Sequence, residues 1–314
     1  MLTYRTTALF LTMLLLIGLP FFFFGGPGYH SSRSFQSTWD LGHILFFAVL
    51  SCLLNLYLCR RYRYLSAWFR FVLIFSVVFV IGLTVELLQM GNGNRTPSVL
   101  DMLRNQLGCL FAYAFLLKQE SRRVPWRWLF RVTVLLLLLL AVWPLTRALI
   151  DENLAARQFP VLSDFETPFE RYRWVNTRQL RQEADVVRHG RKAARVQLST
   201  AKYSGASLFY FPGDWRGYER VQWSVYNPQT EPLELHCRIH DNQHKEHGYE
   251  FNDRFNQQFN IKPGWNDLAV SLEKVQHSPK DRLMDLQHIE GFGIFVIQQK
   301  VPLEIYLDHV HLSK

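Results

Sequence analysis

The stretch "VTVLLLLLLAVWPLTRALIDENLAARQ", residues 132–158, contains the boundary that decides the fold of this chain. It begins as an apolar run and becomes polar from Asp151 onward. Four other dense apolar blocks precede it in the sequence, and none follows it. The five blocks are residues 8–24, 41–58, 71–89, 105–117 and 129–149. Since about 20 apolar residues span a bilayer core, the sequence predicts an α-helical membrane bundle of five transmembrane helices within residues 1–150.

Basic residues orient the predicted bundle. With the amino terminus in the cytoplasm, the cytoplasmic segments carry Arg5, Arg60, Arg61, Arg63, Arg70, Lys118, Arg122, Arg123, Arg127 and Arg131. The outer ends carry only Arg33, Arg95, Arg104 and Arg147. Because cytoplasmic loops of membrane proteins are enriched in Lys and Arg, we expect a cytoplasmic amino terminus, five crossings and a carboxyl-terminal half outside the cytoplasm.

The net charge of +9 does not indicate a nucleic-acid partner. Residues 1–150 hold 14 Lys and Arg against 4 Asp and Glu, whereas residues 151–314 hold 21 against 22. The basic excess therefore lies in the membrane half, where it sets topology. We expect the lipid bilayer as a partner and no nucleic acid.

Polar residues stand at the outer ends of three predicted spans. They are Asp40 and His43 of the second span, Glu86 and Gln89 of the third, Asp101 and Asn105 of the fourth, and Arg95 in the loop between the last two. Spacings of three or four place each pair on one helix face. An ionisable group at mid-membrane costs roughly 2.5–3.5 kcal/mol, and less near the interface. Two interpretations stay open: a structural cluster that pins three helices through Arg95 or His43, or an outward-facing pocket that handles a polar head group or a proton.

The same residues carry a resemblance to a known family. "WDLGHILFFAVLSCLLN" followed by "VELLQMGNGNRTPSVLDMLRNQLG" resembles the VanZ-like family of bacterial membrane proteins over residues 36–117. The family pattern is Asp-x-x-His, Glu-x-x-Gln, an Arg before Ser-x-x-Asp, then Asn-x-x-Gly, and Leu41 departs from it where members often carry Lys. The resemblance implies a bacterial cell-envelope context, with glycopeptide resistance as a candidate role, and does not define a reaction. With the charge distribution, it predicts a multi-pass protein of the bacterial cytoplasmic membrane that has a periplasmic or extracellular carboxyl-terminal domain.

The second half has a different pattern. Residues 151–160 are predicted to form a polar linker, in which residues 151–158 are either a helix extension or part of the linker, and residues 161–314 contain short period-two segments. Examples are "RVQWSVYN", "LELHCRIH", "FGIFVI" and "LEIYLDHVHL", separated by turn signals such as "NPQTEP" and "KPGW". Such segments are typical of strands. The sequence therefore predicts an all-β jelly-roll sandwich after the membrane bundle.

This half also carries a resemblance. "LSDFET", "FYFPGDWRGYERVQWSVYNP", "FNIKPGWNDLAVSL" and "IEGFGIFV" with "YLDHVHL" resemble the galactose-binding-like jelly roll of many carbohydrate-binding modules. The resemblance implies a glycan ligand. It also implies a structural calcium ion, for which Asp164, Glu166 and Asp308 are the candidate ligands.

A sugar site needs an exposed aromatic platform beside polar side chains. The loop at 240–256 offers both, and the predicted ligand-binding residues are Asp241, Tyr249, Phe251, Asn252, Asp253 and Arg254. The other interpretation of this loop is a solvated turn. We expect Trp215 and Trp265 to pack on the core. Four nearby histidines, His236, His240, His244 and His247, are expected to be neutral edge residues instead of ligands of Zn or Cu.

Three functions of different class follow. The first is an envelope protein that binds glycan through its sandwich. The second is an enzyme or transporter-like factor that acts on a lipid-linked envelope precursor through the outer-face cluster. The third is a scaffold that binds proteins. Because the sequence has no nucleophile elbow, phosphate loop, HExxH or paired CxxC motif, the first is favoured over an enzyme.

Overall fold

A computed structural model describes residues 4–28, 30–91, 98–117, 124–175 and 180–314. The chain divides into two compact units, Met1–Thr146 and Arg147–Lys314. The first unit is helical, and the second is built on two β-sheets. The predicted order, a helical region followed by an all-β domain, is therefore confirmed.

Long helices make up most of the first unit. The helices are α1 (Tyr4–Gly18), α2 (Arg33–Arg61), α3 (Ala67–Gly91), α4 (Val99–Phe111) and α5 (Val124–Gln158). Four stretches of the described chain are long and apolar enough to cross a membrane: Tyr4–Phe22, Arg33–Arg61, Ala67–Gln89 and Trp126–Gln158.

The predicted fourth span, residues 105–117, is not among those four stretches. Its helix α4 begins earlier, at Val99, and gives way after Phe111 to a π-helical segment, Ala112–Leu116. The early start brings Asp101 and Arg104 into the helix and lowers its apolar character. The described residues therefore contain four candidate spans, where the sequence predicted five.

Two helix ends also differ from the apolar blocks. α1 stops at Gly18 and a 3-10 turn follows, because Pro20 has no N–H to donate into a continuing α-helix. α2 begins at Arg33, well before residue 41, because Ser32 caps it by accepting a hydrogen bond from the Phe35 N–H at 3.3 Å.

Small residues let three helices approach closely. A Cβ on Gly108 of α4 would lie 2.4 Å from the carbonyl oxygen of Ile44 on α2. A Cβ on Gly82 of α3 would lie 2.7 Å from Nδ2 of Asn105. Larger residues at either position would push the helices apart, so these glycines hold α2, α3 and α4 at contact distance.

Residues 151–160, predicted to be a helix extension or a linker, are largely helical. α5 continues to Gln158, within the second unit. Arg173 holds this helix end, since its guanidinium donates to Oε1 of Gln158 at 3.1 Å and to the carbonyl oxygen of Leu162 at 2.9 Å. The second unit therefore includes the last turns of α5.

Short strands make up most of the second unit. They are β1 (Val161–Ser163), β2 (Trp174–Val175), β3 (Leu180–Glu183), β4 (Ala193–Leu198), β5 (Tyr203–Leu208), β6 (Arg220–Asn227), β7 (Leu233–Asp241), β8 (Phe255–Ile261), β9 (Gly264–Ser271), β10 (Ile289–Ile297) and β11 (Leu303–Ser313), with a short helix α6 (Leu272–Gln276) after β9.

The strands form two antiparallel sheets. One sheet has the order β3-β4-β11-β6-β9, with β1 added beside β11, and the other has the order β2-β5-β10-β7-β8. Their inner faces share one core, in which Trp174, Trp223 and Phe292 are buried. Alternation along the strands then directs every second side chain to an outer face.

Candidate functional site

The outer face of the five-stranded sheet carries a cavity of about 270 Å³. Two cross-strand rows build this sheet-face cavity. In the first row, Phe295 of β10 lies between Gly205 of β5 and His236 of β7. In the second row, Gly293 of β10 lies between Ser207 and Arg238. The cavity exists because each row combines a glycine with large side chains.

The glycines allow neighbouring side chains to lie across the sheet. A Cβ on Gly293 would stand 2.9 Å from Nε of Arg238, and a Cβ on Gly205 would stand 2.8 Å from Cβ of Phe295. Arg238 therefore extends across β10, and its Nη2 donates to Oγ of Ser207 at 3.2 Å.

Aromatic rings form one wall of the sheet-face cavity. The His236 ring stacks on the Phe295 ring with 5.4 Å between centroids and 20° between planes. Tyr203 meets Phe295 edge-on at 5.9 Å, and its side chain is 61% exposed. Two aromatic side chains, Tyr203 and Phe295, thus line the cavity next to the hydroxyl group of Ser207 and the guanidinium group of Arg238.

Two arginines also line the cavity. Arg238 and Arg254 both line the sheet-face cavity. Burial lowers the pKa of Arg254 from its ordinary value, and the positive charge of Arg238 lowers it further. Among the described residues, no carboxylate lines the cavity or comes within ion-pair distance of Arg254. The positive charges of Arg238 and Arg254 therefore lie near each other at a partly buried position.

The predicted ligand loop is held together by an arginine that sequence reasoning did not single out. Arg282 donates to Oδ1 of Asp253 at 2.7 Å and to Oδ1 of Asp241 at 2.8 Å. The Arg282 hydrogen bonds lower the pKa of Asp253 to about 2. Asp241 is fully buried. These two carboxylates hold the loop instead of facing solvent.

The other predicted loop residues divide into two groups. Tyr249 and Phe251 are exposed, as is Asn252, whose backbone carbonyl accepts from the Lys280 N–H at 3.0 Å. Arg254 points to the sheet, and its Cζ lies 5.4 Å from the Phe251 ring centroid. Through Arg254, the loop reaches the sheet-face cavity.

The carboxylates predicted to bind calcium accept hydrogen bonds from backbone N–H groups. Oδ1 of Asp164 accepts from Glu166 at 3.3 Å. Oε1 of Glu166 accepts from the N–H groups of Arg191 and Lys192, the latter at 3.0 Å. Each carboxylate therefore closes a turn of its own.

Asp308, the third calcium candidate, is buried and accepts from the N–H groups of Arg188 and His189, each at 2.8 Å. Burial raises its pKa above the ordinary value. Calcium takes oxygen ligands, whereas backbone N–H groups donate to all three acids, and only Oδ1 of Asp308 is buried without a hydrogen-bond partner among the described residues. Across the described residues, no group of three or more His, Cys, Asp or Glu side chains is arranged to hold a metal ion. The surroundings do not fit a calcium site.

The two tryptophans expected in the core differ. Trp215 is fully buried. Trp265 lies on β9 at the outer face of the six-stranded sheet, where its ring packs 5.3 Å from Tyr226, which in turn lies 6.0 Å from Tyr306. The opposite sheet thus carries an aromatic row of its own, and this row is a matched comparison for the sheet-face cavity.

In the helical unit, Arg104 pairs with two of the predicted acids. Its Nη2 lies 2.9 Å from Oδ2 of Asp40, and its Nη1 contacts Oδ1 of Asp101. Sequence reasoning proposed Arg95 or His43 for these acids and counted Arg104 only as a topogenic charge. Arg95 lies outside the described residues.

Glu86 binds the backbone at the start of α4. Its Oε2 accepts a hydrogen bond from the Ser98 N–H at 2.9 Å, and its side chain is 2% exposed. Within the described part of the chain, its Oε1 has no hydrogen-bond partner. Gln89, one turn further along α3, donates to the carbonyl oxygen of Phe22 at 2.7 Å.

His43 joins two helices and borders a second cavity. Its Nδ1 lies 2.9 Å from Oδ1 of Asn105 on α4. A cavity of about 390 Å³ between α1 and α2 is lined by His43, Trp39, Phe22 and mostly apolar neighbours. The contacts of Asp40, His43, Glu86, Gln89, Asp101 and Asn105 favour the structural interpretation of this cluster, and the cavity supplies an apolar space beside it.

Tyr203, Phe295 and Ser207 were missed as site residues. One signal was present in the sequence: strand alternation places His236 and Arg238 on one face of "LELHCRIH". What the pattern did not provide was the pairing register, which sets Gly205 and Gly293 beside those large side chains.

Comparison with known proteins gives no family. No family model matches the sequence, and no curated protein matches it. Among solved structures, a family 11 carbohydrate-binding module from Clostridium thermocellum, in complex with a β-1,3-1,4-mixed-linked tetrasaccharide, matches 49% of this chain and 94% of its own at 13% identity and a TM-score of 0.36.

Two further solved structures are similar to the same degree. An agarase matches 49% of this chain and 26% of its own at 14% identity and a TM-score of 0.37. A family 30 carbohydrate-binding module of a Clostridium thermocellum cellulase matches 43% of this chain and 82% of its own at 10% identity and a TM-score of 0.33. Likenesses this low do not identify a ligand for this chain, whose β-sandwich is defined by its own sheets.

Proposed function

We propose that this protein is a membrane-anchored cell-envelope protein that binds glycan on the outer face of its five-stranded sheet. The observation that carries the proposal is the sheet-face cavity, where the rings of Tyr203 and Phe295 line the same space as Arg238 and Ser207. This combination matches the surface of a pyranose ring, which has flat apolar faces and a rim of hydroxyl groups.

Sugar recognition uses each part of the cavity. The rings of Tyr203 and Phe295 would pack on the apolar face of a sugar. The guanidinium groups and Oγ of Ser207 would bind its hydroxyl oxygens. Exposed Phe251, which Arg254 connects to the cavity, would extend the contact to a neighbouring sugar.

The helical unit supports an anchoring role. Four of its stretches have the length and composition of membrane spans, and the distribution of Lys and Arg favours a cytoplasmic amino terminus. With α4 as a fifth crossing, the sandwich would stand outside a bacterial cytoplasmic membrane, among envelope glycans. The VanZ-like motif is consistent with that setting.

A glycan array tests this function. The full-length protein, in a detergent without a sugar head group, would be applied to bacterial envelope and plant glycans. We expect retention on one glycan class and its loss on Tyr203→Ala. Trp265→Ala, in the aromatic row of the other sheet, is the matched control and should bind normally. Retention that depends on Trp265 instead of Tyr203 would mean that the glycan binds to the six-stranded sheet. Capture of proteins without retention on any glycan would favour a scaffold function.

A second candidate function rests on the helical unit. Glu86 is nearly buried, and its Oε1 has no hydrogen-bond partner among the described residues. The cavity beside His43 is mostly apolar and could take a lipid chain. Glu86 does not line this cavity, but a buried carboxyl group in the same helical unit is a candidate for acid-base work on a lipid-linked envelope precursor.

Glu86→Gln separates this function from a structural role. The amide keeps the size of the side chain and its ability to accept from the Ser98 N–H, but it cannot transfer a proton. A normal expression level and normal thermal stability, with loss of the cellular phenotype of a deletion strain, would support the second candidate. Restoration of that phenotype by the variant would exclude proton transfer by Glu86.

A further inference from the structure

The sheet-face cavity presents two positive charges to its ligand. Arg238 and Arg254 line it together, and the charge of Arg238 contributes to lowering the pKa of Arg254. The acid next to Arg254 in sequence, Asp253, is engaged by Arg282 and by His244, whose Nδ1 lies 3.1 Å away. The local carboxylate is therefore directed away from the cavity.

The overall charge of the second half does not account for the two arginines at this cavity. Residues 151–314 have 21 Lys and Arg against 22 Asp and Glu, so the second half as a whole is not basic. On the opposite sheet, two arginines pair with acids: Arg188, next to that sheet, with Asp267 at 2.7 Å, and half-buried Arg195 with Glu304 at 2.5 Å. Arg254 makes no such pair within the described chain.

A bound anion would remove the repulsion between the two guanidinium groups. Guanidinium forks bind carboxylate, sulfate and phosphate oxygens through charge-assisted hydrogen bonds. Because the aromatic wall lies only a few ångströms from these groups, with the Phe295 ring centroid 5.9 Å from Cζ of Arg238, one ligand can meet both walls. That ligand is a sugar ring that carries an oxyanion.

Building on the proposed glycan function, we propose that the sheet-face cavity selects an acidic glycan and that Arg238 and Arg254 bind its oxyanion. The aromatic wall supplies affinity for the ring, and the arginines supply the choice of a charged sugar over a neutral one. A surface of this kind suits uronic-acid or sulfated polysaccharides.

Titration calorimetry with matched ligands tests the proposal. The full-length protein, in a detergent without a sugar head group, is titrated with oligogalacturonate and with the same oligomer after methyl esterification, which removes the charge and keeps the ring. A sulfated galactan forms a third arm. We expect one of the charged ligands to bind about tenfold or more tighter than its neutral counterpart, and the arm that binds identifies the oxyanion. Its affinity should fall as salt is raised.

Variants locate the charge effect. Arg254→Gln and Arg238→Gln should each reduce the preference for the charged ligand about tenfold, whereas Arg195→Gln on the opposite sheet should leave it unchanged. Thermal unfolding would check that each variant is folded. Equal binding of charged and neutral ligands, lost on Tyr203→Ala, would overturn the acidic preference and leave glycan binding intact. No binding of any charged or neutral glycan would overturn both.

Discussion

Asp151 and Arg173 form a fully buried ion pair, with 3.0 Å between Oδ1 and Nη2 and neither side chain exposed. Asp151 lies in α5 and Arg173 in the turn before β2. The guanidinium also donates to the helix end at Gln158 and to the first strand at Leu162. One arginine thus fastens the last turns of α5 to the start of the sandwich.

Removal of the acid from this pair should destabilise the second unit. Asp151→Asn leaves a buried guanidinium without its counter-charge, which costs about 3–5 kcal/mol in comparable cases. Chemical denaturation, followed by tryptophan fluorescence, measures the loss. Asp214→Asn is the control, because its pair with Arg216 is more than half exposed on both sides and exposed ion pairs contribute little to stability. Equal effects of the two variants would contradict a special role for the buried pair.

Helix packing in the first unit makes a second prediction. Gly108→Ala places a methyl group against the Ile44 carbonyl oxygen, so it should destabilise the contact of α2 with α4 by about 1–3 kcal/mol. Gly42→Ala is the matched control, because no atom lies within 4 Å of the added Cβ. That variant should be neutral or slightly stabilising, by up to about 1 kcal/mol. The rate at which a thiol reagent labels buried Cys109 on heating measures this packing, and it should rise in Gly108→Ala. Faster labelling in Gly42→Ala alone would contradict the prediction.

Stability should fall in mildly acidic solution because of His309. Its ring stacks between His189 at 4.0 Å and His311 at 4.1 Å. Burial, with the charges of His311 and His189, lowers the pKa of His309 from 6.5 to about 4. The unfolded chain therefore takes up a proton near pH 6.5 that the folded chain does not take up until about pH 4.

His309→Asn measures this contribution, since Asn tolerates the positive φ of 48° at that position. Between pH 6.5 and 4, the wild type should lose about 1 kcal/mol more than the variant, a value reduced by solvent screening. The raised pKa of Asp308 has the opposite effect on stability as the pH falls toward 4, and it is present in both proteins. If the free energy of unfolding of the two proteins changes in parallel with pH, His309 does not titrate as described.

The transmembrane topology depends on α4. Val99–Phe111 and Ala112–Leu116 contain 13 and 5 residues, which together extend about 27 Å at the rise of an α-helix and approach the thickness of a bilayer core. We expect α4 to cross the membrane. A phosphatase that is active only outside the cytoplasm, fused after Gly91, after Leu117 or after Lys314, should be active, inactive and active in that order. Activity after Leu117 with none after Lys314 would mean four crossings and a cytoplasmic sandwich.

The sequence predicted those features that depend on local pattern. Period-two alternation located β6 at "RVQWSVYN" and β7 at "LELHCRIH" within one residue. β8, "FNQQFNI", was not singled out, because Gln257 interrupts the alternation of Phe255 and Phe259. Helix starts were misplaced where a cap such as Ser32, instead of hydrophobicity, sets the boundary.

Long-range pairings could not be predicted in the same way. Arg282 and its partner Asp241 are 41 residues apart, and Arg104 reaches Asp40 on another helix. No sequence pattern connects residues at such separations. The sheet-face cavity has the same origin, because it depends on the register that brings Gly205 and Gly293 beside large side chains from other strands.

Footprinting of the two sandwich faces tests the central claim most directly. Hydroxyl radicals oxidise exposed aromatic rings, and Tyr203 is 61% exposed on the proposed glycan face, whereas Trp265 lies on the other face. The glycan that the array identifies is added in excess. Oxidation of Tyr203 and Phe295 should then fall several-fold, while oxidation of Trp265 stays constant. Unchanged oxidation of Tyr203, together with protection of Trp265 or of neither residue, would contradict glycan binding on the five-stranded sheet.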